Sequence, residues 1–86
     1  MNMKVKISEK FLKELKKLSK LDQERIMKAV ERLVDPFSMD IRKVKATKNI
    51  YRVKVGKWRI FIKIDFEKKV VYVLKFDRRE RAYDRL

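Results

Sequence analysis

Apolar and polar residues alternate at the start of the chain, where Met3, Val5 and Ile7 are separated by Lys4 and Lys6. That is the period of a half-buried strand. The period then changes. Ser8 is placed to cap a helix whose apolar stripe is Phe11, Leu12, Leu15 and Leu18, running to about Lys20. Asp22 offers a second N-cap, and Ile26, Val30, Leu33 and Val34 form a second stripe that stops before Pro36. Such stripes serve either as a dimerisation face or as the face packed on a sheet, and the strands that follow favour the sheet. The two helices are expected to form an antiparallel hairpin. DPFSMDI, residues 35–41, holds the only proline and reads as the loop from helices to sheet.

Three strands are expected next, at Ile50 to Val55, Trp58 to Ile64 and Val70 to Phe76. Gly56-Lys57 fits a two-residue hairpin with glycine at the first central position, where φ must be positive. VVYVLKF is apolar on both faces through most of its length, as an interior strand should be. DRRERAYDRL closes the chain as a short, polar, helical tail. The expected fold is therefore α+β: a strand, a helical hairpin, then a largely antiparallel sheet in the order β-α-α-β-β-β, with a short C-terminal helix. At 86 residues, all of this belongs to one domain.

The hairpin register sorts the side chains. A two-residue turn sets Val55 opposite Trp58, Lys54 opposite Arg59, Val53 opposite Ile60, Arg52 opposite Phe61 and Tyr51 opposite Ile62. The apolar partners share the face on which the helices pack. The other face displays Arg52, Lys54, Arg59, Phe61 and Lys63.

Charge changes what that second face means. The formal net charge is +14, from 26 Lys and Arg against 12 Asp and Glu, and it is unevenly spread. Residues 1–40 carry ten basic and seven acidic residues, whereas residues 41–86 carry sixteen and five. Between Asp40 and Asp65 stand nine Lys or Arg and no acid. Two cations directly across a ladder repel, at a cost of a few tenths of a kcal/mol when long side chains splay into water. A phosphate between Lys54 and Arg59 would remove that repulsion, and Phe61 beside them can stack on a base. A polyanion, and RNA in particular, is the expected partner. The tail adds Arg78, Arg79 and Arg81 within four residues, and on a helix Arg79 and Tyr83 share one face.

Composition excludes several alternatives. Without cysteine or histidine there is no disulfide framework and no thiolate or imidazole metal site. No cofactor and no small-molecule ligand are expected. No run approaches the roughly 20 apolar residues of a membrane span, and no signal-peptide pattern opens the chain, so the expected compartment is the cytoplasm. Asn2, Gln23 and Asn49 are the only side-chain amides among 44% charged residues, a balance typical of proteins from hot environments.

The order YRVKVGKWRIFIKID, VVYVLKF and RRERAY resembles the RelE family of the RelE/ParE toxin superfamily over nearly the whole chain. The resemblance implies the toxin half of a type II toxin–antitoxin pair, one that cuts messenger RNA in the ribosomal decoding site without a metal. It also implies a RelB-like antitoxin as partner, an acidic segment that wraps the basic domain. By position in the motif, Arg52 and Lys54 match the basic pair of one strand, Arg59 the arginine after the turn, Arg79 the tail arginine and Tyr83 the terminal aromatic. Attack by the RNA 2′-hydroxyl needs a base, stabilisation of the phosphorane and neutralisation of the leaving 5′ oxygen. With no carboxylate expected on the basic face, the base is assigned to Lys54, crowded by Arg52 and Arg59. Phosphate stabilisation falls to Arg59, leaving-group stabilisation to Arg79, and holding of the substrate to Tyr83. Arg52, Phe61, Lys63, Arg78 and Arg81 are expected to bind substrate. The free protein should be nearly inactive, with the ribosome supplying geometry. The ParE branch, whose members poison DNA gyrase, shares the fold and is the alternative, as is a non-catalytic RNA-binding module.

Overall fold

Ser8 and Ser19 open the two helices for the same reason: each extended residue turns its hydroxyl onto an amide three residues ahead, satisfying a donor that the first helical turn leaves without a partner. Ser8 accepts from Phe11 N at 3.1 Å and Ser19 from Asp22 N at 3.2 Å. In the computed structural model, which describes residues 2–78, β1 (Lys4–Ile7) leads into α1 (Glu9–Leu15) and α2 (Lys20–Arg32). A 3-10 turn at Pro36–Ser38 then precedes β2 (Ile41–Lys43), β3 (Ile50–Val55), β4 (Trp58–Asp65) and β5 (Val70–Arg78).

Several expectations need correction. The first helix ends at Leu15, not near Lys20, because Ser19 starts the next one and residues 16–18 turn between them. Ser19, not Asp22, is the second N-cap, and Asp22 sits in the first turn facing Lys57 Nζ at 3.6 Å. Leu12 and Val34 are exposed, so the stripes narrow to Phe11 and Leu15 on α1, and to Ile26, Ala29 and Val30 on α2 with Leu33 at its C-cap. The segment expected to be loop ends in a strand: Ile41, Arg42 and Lys43 pair antiparallel with Val53, Arg52 and Tyr51. β5 runs on to Arg78, beyond the expected end at Phe76. The C-terminal helix was expected over DRRERAYDRL, residues 77–86, but Asp77 and Arg78 belong to β5, and the rest of it, residues 79–86, lies outside the described residues.

The five strands form one sheet in the order β1-β5-β4-β3-β2. β1 runs parallel to β5 and the other three junctions are antiparallel, with β5 in the interior as its two apolar faces require. All five expected hairpin pairs between β3 and β4 are present, and Gly56 has φ +55° at the first turn position. The helices cover one face, burying Phe11, Ile26 and Leu33 against Val53, Ile60, Ile62, Ile64, Val71 and Val73. Removing this apolar surface from water is the main favourable contribution to the fold.

One irregularity decides what the other face carries. Between β4 and β5 the register slips: Ile62 faces Val73, but Phe61 faces Lys75, leaving Leu74 as an extra residue. Such a bulge reverses the side-chain parity of everything beyond it. Phe76 therefore turns into the core, its ring 5.2 Å from that of Phe11 and 5.5 Å from that of Trp58, both edge-on. Lys75 and Asp77 turn to the face without helices.

Candidate nucleic-acid interface

The helix-free face is organised as rungs that cross the strands. On one rung, Lys54 of β3 faces Arg59 of β4, and Arg59 faces Asp77 of β5. Asp40 lies at the outer end of the same rung, where its carbonyl accepts from Lys54 N at 2.9 Å. The next rung runs Arg42, Arg52, Phe61, Lys75 across β2 to β5. Asp40, Arg42, Arg52, Lys54 and Arg59 together line a cleft of about 170 Å³. Four cations and one carboxylate around this space make a strongly positive local field, suited to phosphate groups.

Arg59 is the innermost of these groups. It is only 6% exposed, and its Nη1 donates to the Trp58 carbonyl oxygen at 3.1 Å. Taking a guanidinium out of water is costly unless charge and hydrogen bonds compensate it. Asp77 stands opposite it in the ladder, its carboxylate 3.7 Å from Lys75 Nζ, while Lys54 stands on the other side with like charge. Arg59 is thus held by the sheet itself, with donors to spare for a ligand in the cleft. Lys54 is exposed and Arg52 half-buried, so this part of the site grades from a buried floor at Arg59 to an exposed rim.

The other expected site residues fall in different places. Phe61 is on the predicted face, but Lys75 Nζ lies 5.0 Å from its ring centroid, so an ammonium already covers the surface expected to receive a base. Lys63 is exposed on the same face, one rung further on, opposite Ile50 and Tyr72 and away from the cleft. Arg78 departs from expectation. It faces Trp58, its guanidinium carbon 5.4 Å from the ring centroid, on the helix side of the sheet. There it borders a second hollow of about 410 Å³ between α1 and the end of β5, with Phe76 and Trp58 in its wall. Arg79, Arg81 and Tyr83 lie outside the described residues.

Three residues near the cleft were not singled out from the sequence. Arg42 and Asp40 come with β2, whose three residues are too few to display alternation. Asp77 reaches the basic face through the bulge at Leu74. The expectation that this face lacks carboxylates is therefore corrected: one lines the cleft and one stands beside its buried arginine.

Known proteins share this arrangement of chain. A protein from Methanocaldococcus jannaschii that carries the name toxin RelE1 is 29% identical, over 96% of this chain and 97% of its own length. The crystal structure of the archaeal RelE–RelB complex from Pyrococcus horikoshii contains a chain that superposes with a TM-score of 0.79 at 28% identity, covering 94% of this chain and 99% of that one. The RelB–RelE antitoxin–toxin complex from Methanococcus jannaschii gives 0.72 at 25% identity, covering 93% and 96%. A family model described as the ParE toxin of the type II toxin–antitoxin system parDE matches residues 5–83. With that match spanning most of its length, the chain belongs to the RelE/ParE superfamily of toxins from type II toxin–antitoxin systems.

Proposed function

We propose that this toxin is an endoribonuclease of the RelE type, cutting messenger RNA held in the ribosomal decoding site and so stopping translation. The cleft carries this reading: a buried, sheet-held Arg59 with Lys54 directly across from it and Arg52 and Arg42 beside them. Such a set favours a phosphorane, whose charge exceeds that of the phosphate in the ground state.

In the proposed reaction, Lys54 in its amine form takes the proton from the 2′-hydroxyl, and the 2′ oxygen forms a bond to phosphorus. The bond from phosphorus to the 5′ oxygen breaks, leaving a 2′,3′-cyclic phosphate and a 5′-hydroxyl once the leaving oxygen gains a proton from water. Arg59 stabilises the phosphorane throughout. Arg79 is assigned to the leaving oxygen and Tyr83 to holding the substrate. No metal enters these steps. Asp40 is kept out of the base role because an aspartate is ordinarily a much weaker base than a lysine amine; its carboxylate offsets part of the charge in the cleft. Nothing in this set aligns the attacking hydroxyl with the leaving oxygen, so that alignment is left to the ribosome.

The partner in this reading is a RelB-like antitoxin that neutralises the basic face. Support comes from the RelE–RelB complexes of Pyrococcus horikoshii and Methanococcus jannaschii, whose toxin chains share this fold. The ParE name of the matching family model favours a second reading, inhibition of DNA gyrase. Primer extension on ribosome-bound messenger separates the two: cuts within codons support the nuclease, whereas trapped gyrase–DNA breaks without RNA cuts support the other branch.

A further inference from the structure

We propose that Arg42 and Arg52 form a second phosphate-binding rung, so that the cleft grips two consecutive phosphates of one RNA strand. The inference rests on the nuclease reading and extends it to a residue outside the family motif, Arg42.

The two rungs differ in how their charge is compensated. The Lys54–Arg59 rung is bracketed by Asp40 at one end and Asp77 at the other. The neighbouring rung holds Arg42, Arg52, Phe61 and Lys75; Lys75 pairs with Asp77 at 3.7 Å, but among the described residues neither Arg42 nor Arg52 has an ion pair. Two arginines directly opposite each other across β2 and β3 repel. That repulsion is relieved by an anion shared between them, and two planar forks can hold one phosphate through several oxygens. Arg42 is exposed on an edge strand while Arg52 is half-buried behind it, so the pair opens outward to a ligand.

Spacing favours RNA over a scatter of protein carboxylates. Arg52 and Lys54 are two residues apart on β3, a step of about 7 Å along an extended strand. Consecutive phosphates of an extended nucleic-acid strand repeat on the same scale. Both rungs line one continuous cleft, so a strand with its scissile phosphate at Lys54 and Arg59 lays a neighbouring phosphate on Arg42 and Arg52.

The test uses the full-length toxin, ribosomes, and messengers carrying a single neutral methylphosphonate at the phosphate on one or the other side of the cut. With native messenger, Arg42→Ala should lower kcat/KM by roughly tenfold, mainly through KM, the scale of one charge-assisted hydrogen bond. At one of the two modified positions, wild type should lose a similar factor and Arg42→Ala should lose nothing further. Arg42→Lys should recover part of the loss, and thermal unfolding of both variants should match wild type. Independent, multiplying losses at both positions, or an Arg42→Ala variant as active as wild type, overturn the second rung. An Arg42→Ala variant that cuts normally but binds the antitoxin more weakly also overturns it and assigns the pair to the protein partner. If wild type makes no cut on ribosomes, the nuclease reading fails separately. The salt dependence of binding a single-stranded RNA oligonucleotide then decides: a slope smaller by about one for Arg42→Ala supports the rung, and an unchanged slope overturns it.

Discussion

Arg59 and Asp77 face each other across β4 and β5, on the rung that Lys54 completes from β3. The sheet thus holds an arginine that is 6% exposed between one like and one opposite charge. Such a group is kept at the expense of stability when function needs it. Arg59→Met, which fills similar volume without charge, should leave the melting temperature equal to or above that of wild type. Ribosome-dependent cleavage should fall by about a hundredfold or more, the scale of losing one preorganised donor to a transition state. Thermal unfolding and single-turnover cleavage of the same preparation test both halves.

The bulge at Leu74 makes opposite predictions for neighbours that strict alternation would rank the other way. Phe76→Ala removes a ring packed edge-on against Phe11 and Trp58, and should cost about 2–4 kcal/mol. Leu74→Ser changes an exposed residue at the slip in register and should stay within about 0.5 kcal/mol. Urea unfolding monitored by Trp58 fluorescence measures the two costs.

Ser19 and Asp22 are distinguished in a similar way. Ser19→Ala deletes the hydroxyl that accepts from Asp22 N, with an expected loss of about 1 kcal/mol. Asp22→Ala removes a first-turn charge and a pair to a half-exposed Lys57, worth about 0.5 kcal/mol. Equal losses, or a larger one for Asp22, would place the cap where the sequence pattern first suggested it.

These contrasts show how far local pattern reaches. The β3–β4 hairpin was readable pair by pair, because Gly56 and a two-residue turn fix register and alternation then assigns every face. The meeting of Lys54 and Arg59 follows from that alone. Asp77 was not readable, because a bulge in β5 is settled by packing Phe76 beneath Trp58 rather than by any turn residue. Arg42 was counted among the basic residues but had no face until β2 paired with β3. Helix ends shifted by a few residues for a related reason: serine and aspartate both cap well, and only the geometry of the turn chooses between Ser19 and Asp22.

The proposed association with a RelB-like antitoxin gives a prediction for the cell. Wild-type toxin expressed alone should arrest growth and accumulate poorly. Arg59→Ala should accumulate without arrest while still co-purifying with a co-expressed RelB-like antitoxin. Growth curves and affinity capture of the tagged toxin would record this, and unhindered growth with abundant wild-type protein would oppose the toxin's proposed mode of action.

The central claim is that the cleft around Arg59 and Lys54 cuts messenger RNA only when a ribosome presents it. Primer extension on purified ribosomes stalled at a defined codon, with free messenger alongside, tests it most directly. The account predicts cuts inside the decoding-site codon for wild type, none for Arg59→Ala, and almost none on free messenger. Intact messenger in the ribosomal lanes, or equal cutting by wild type and Arg59→Ala, would contradict it.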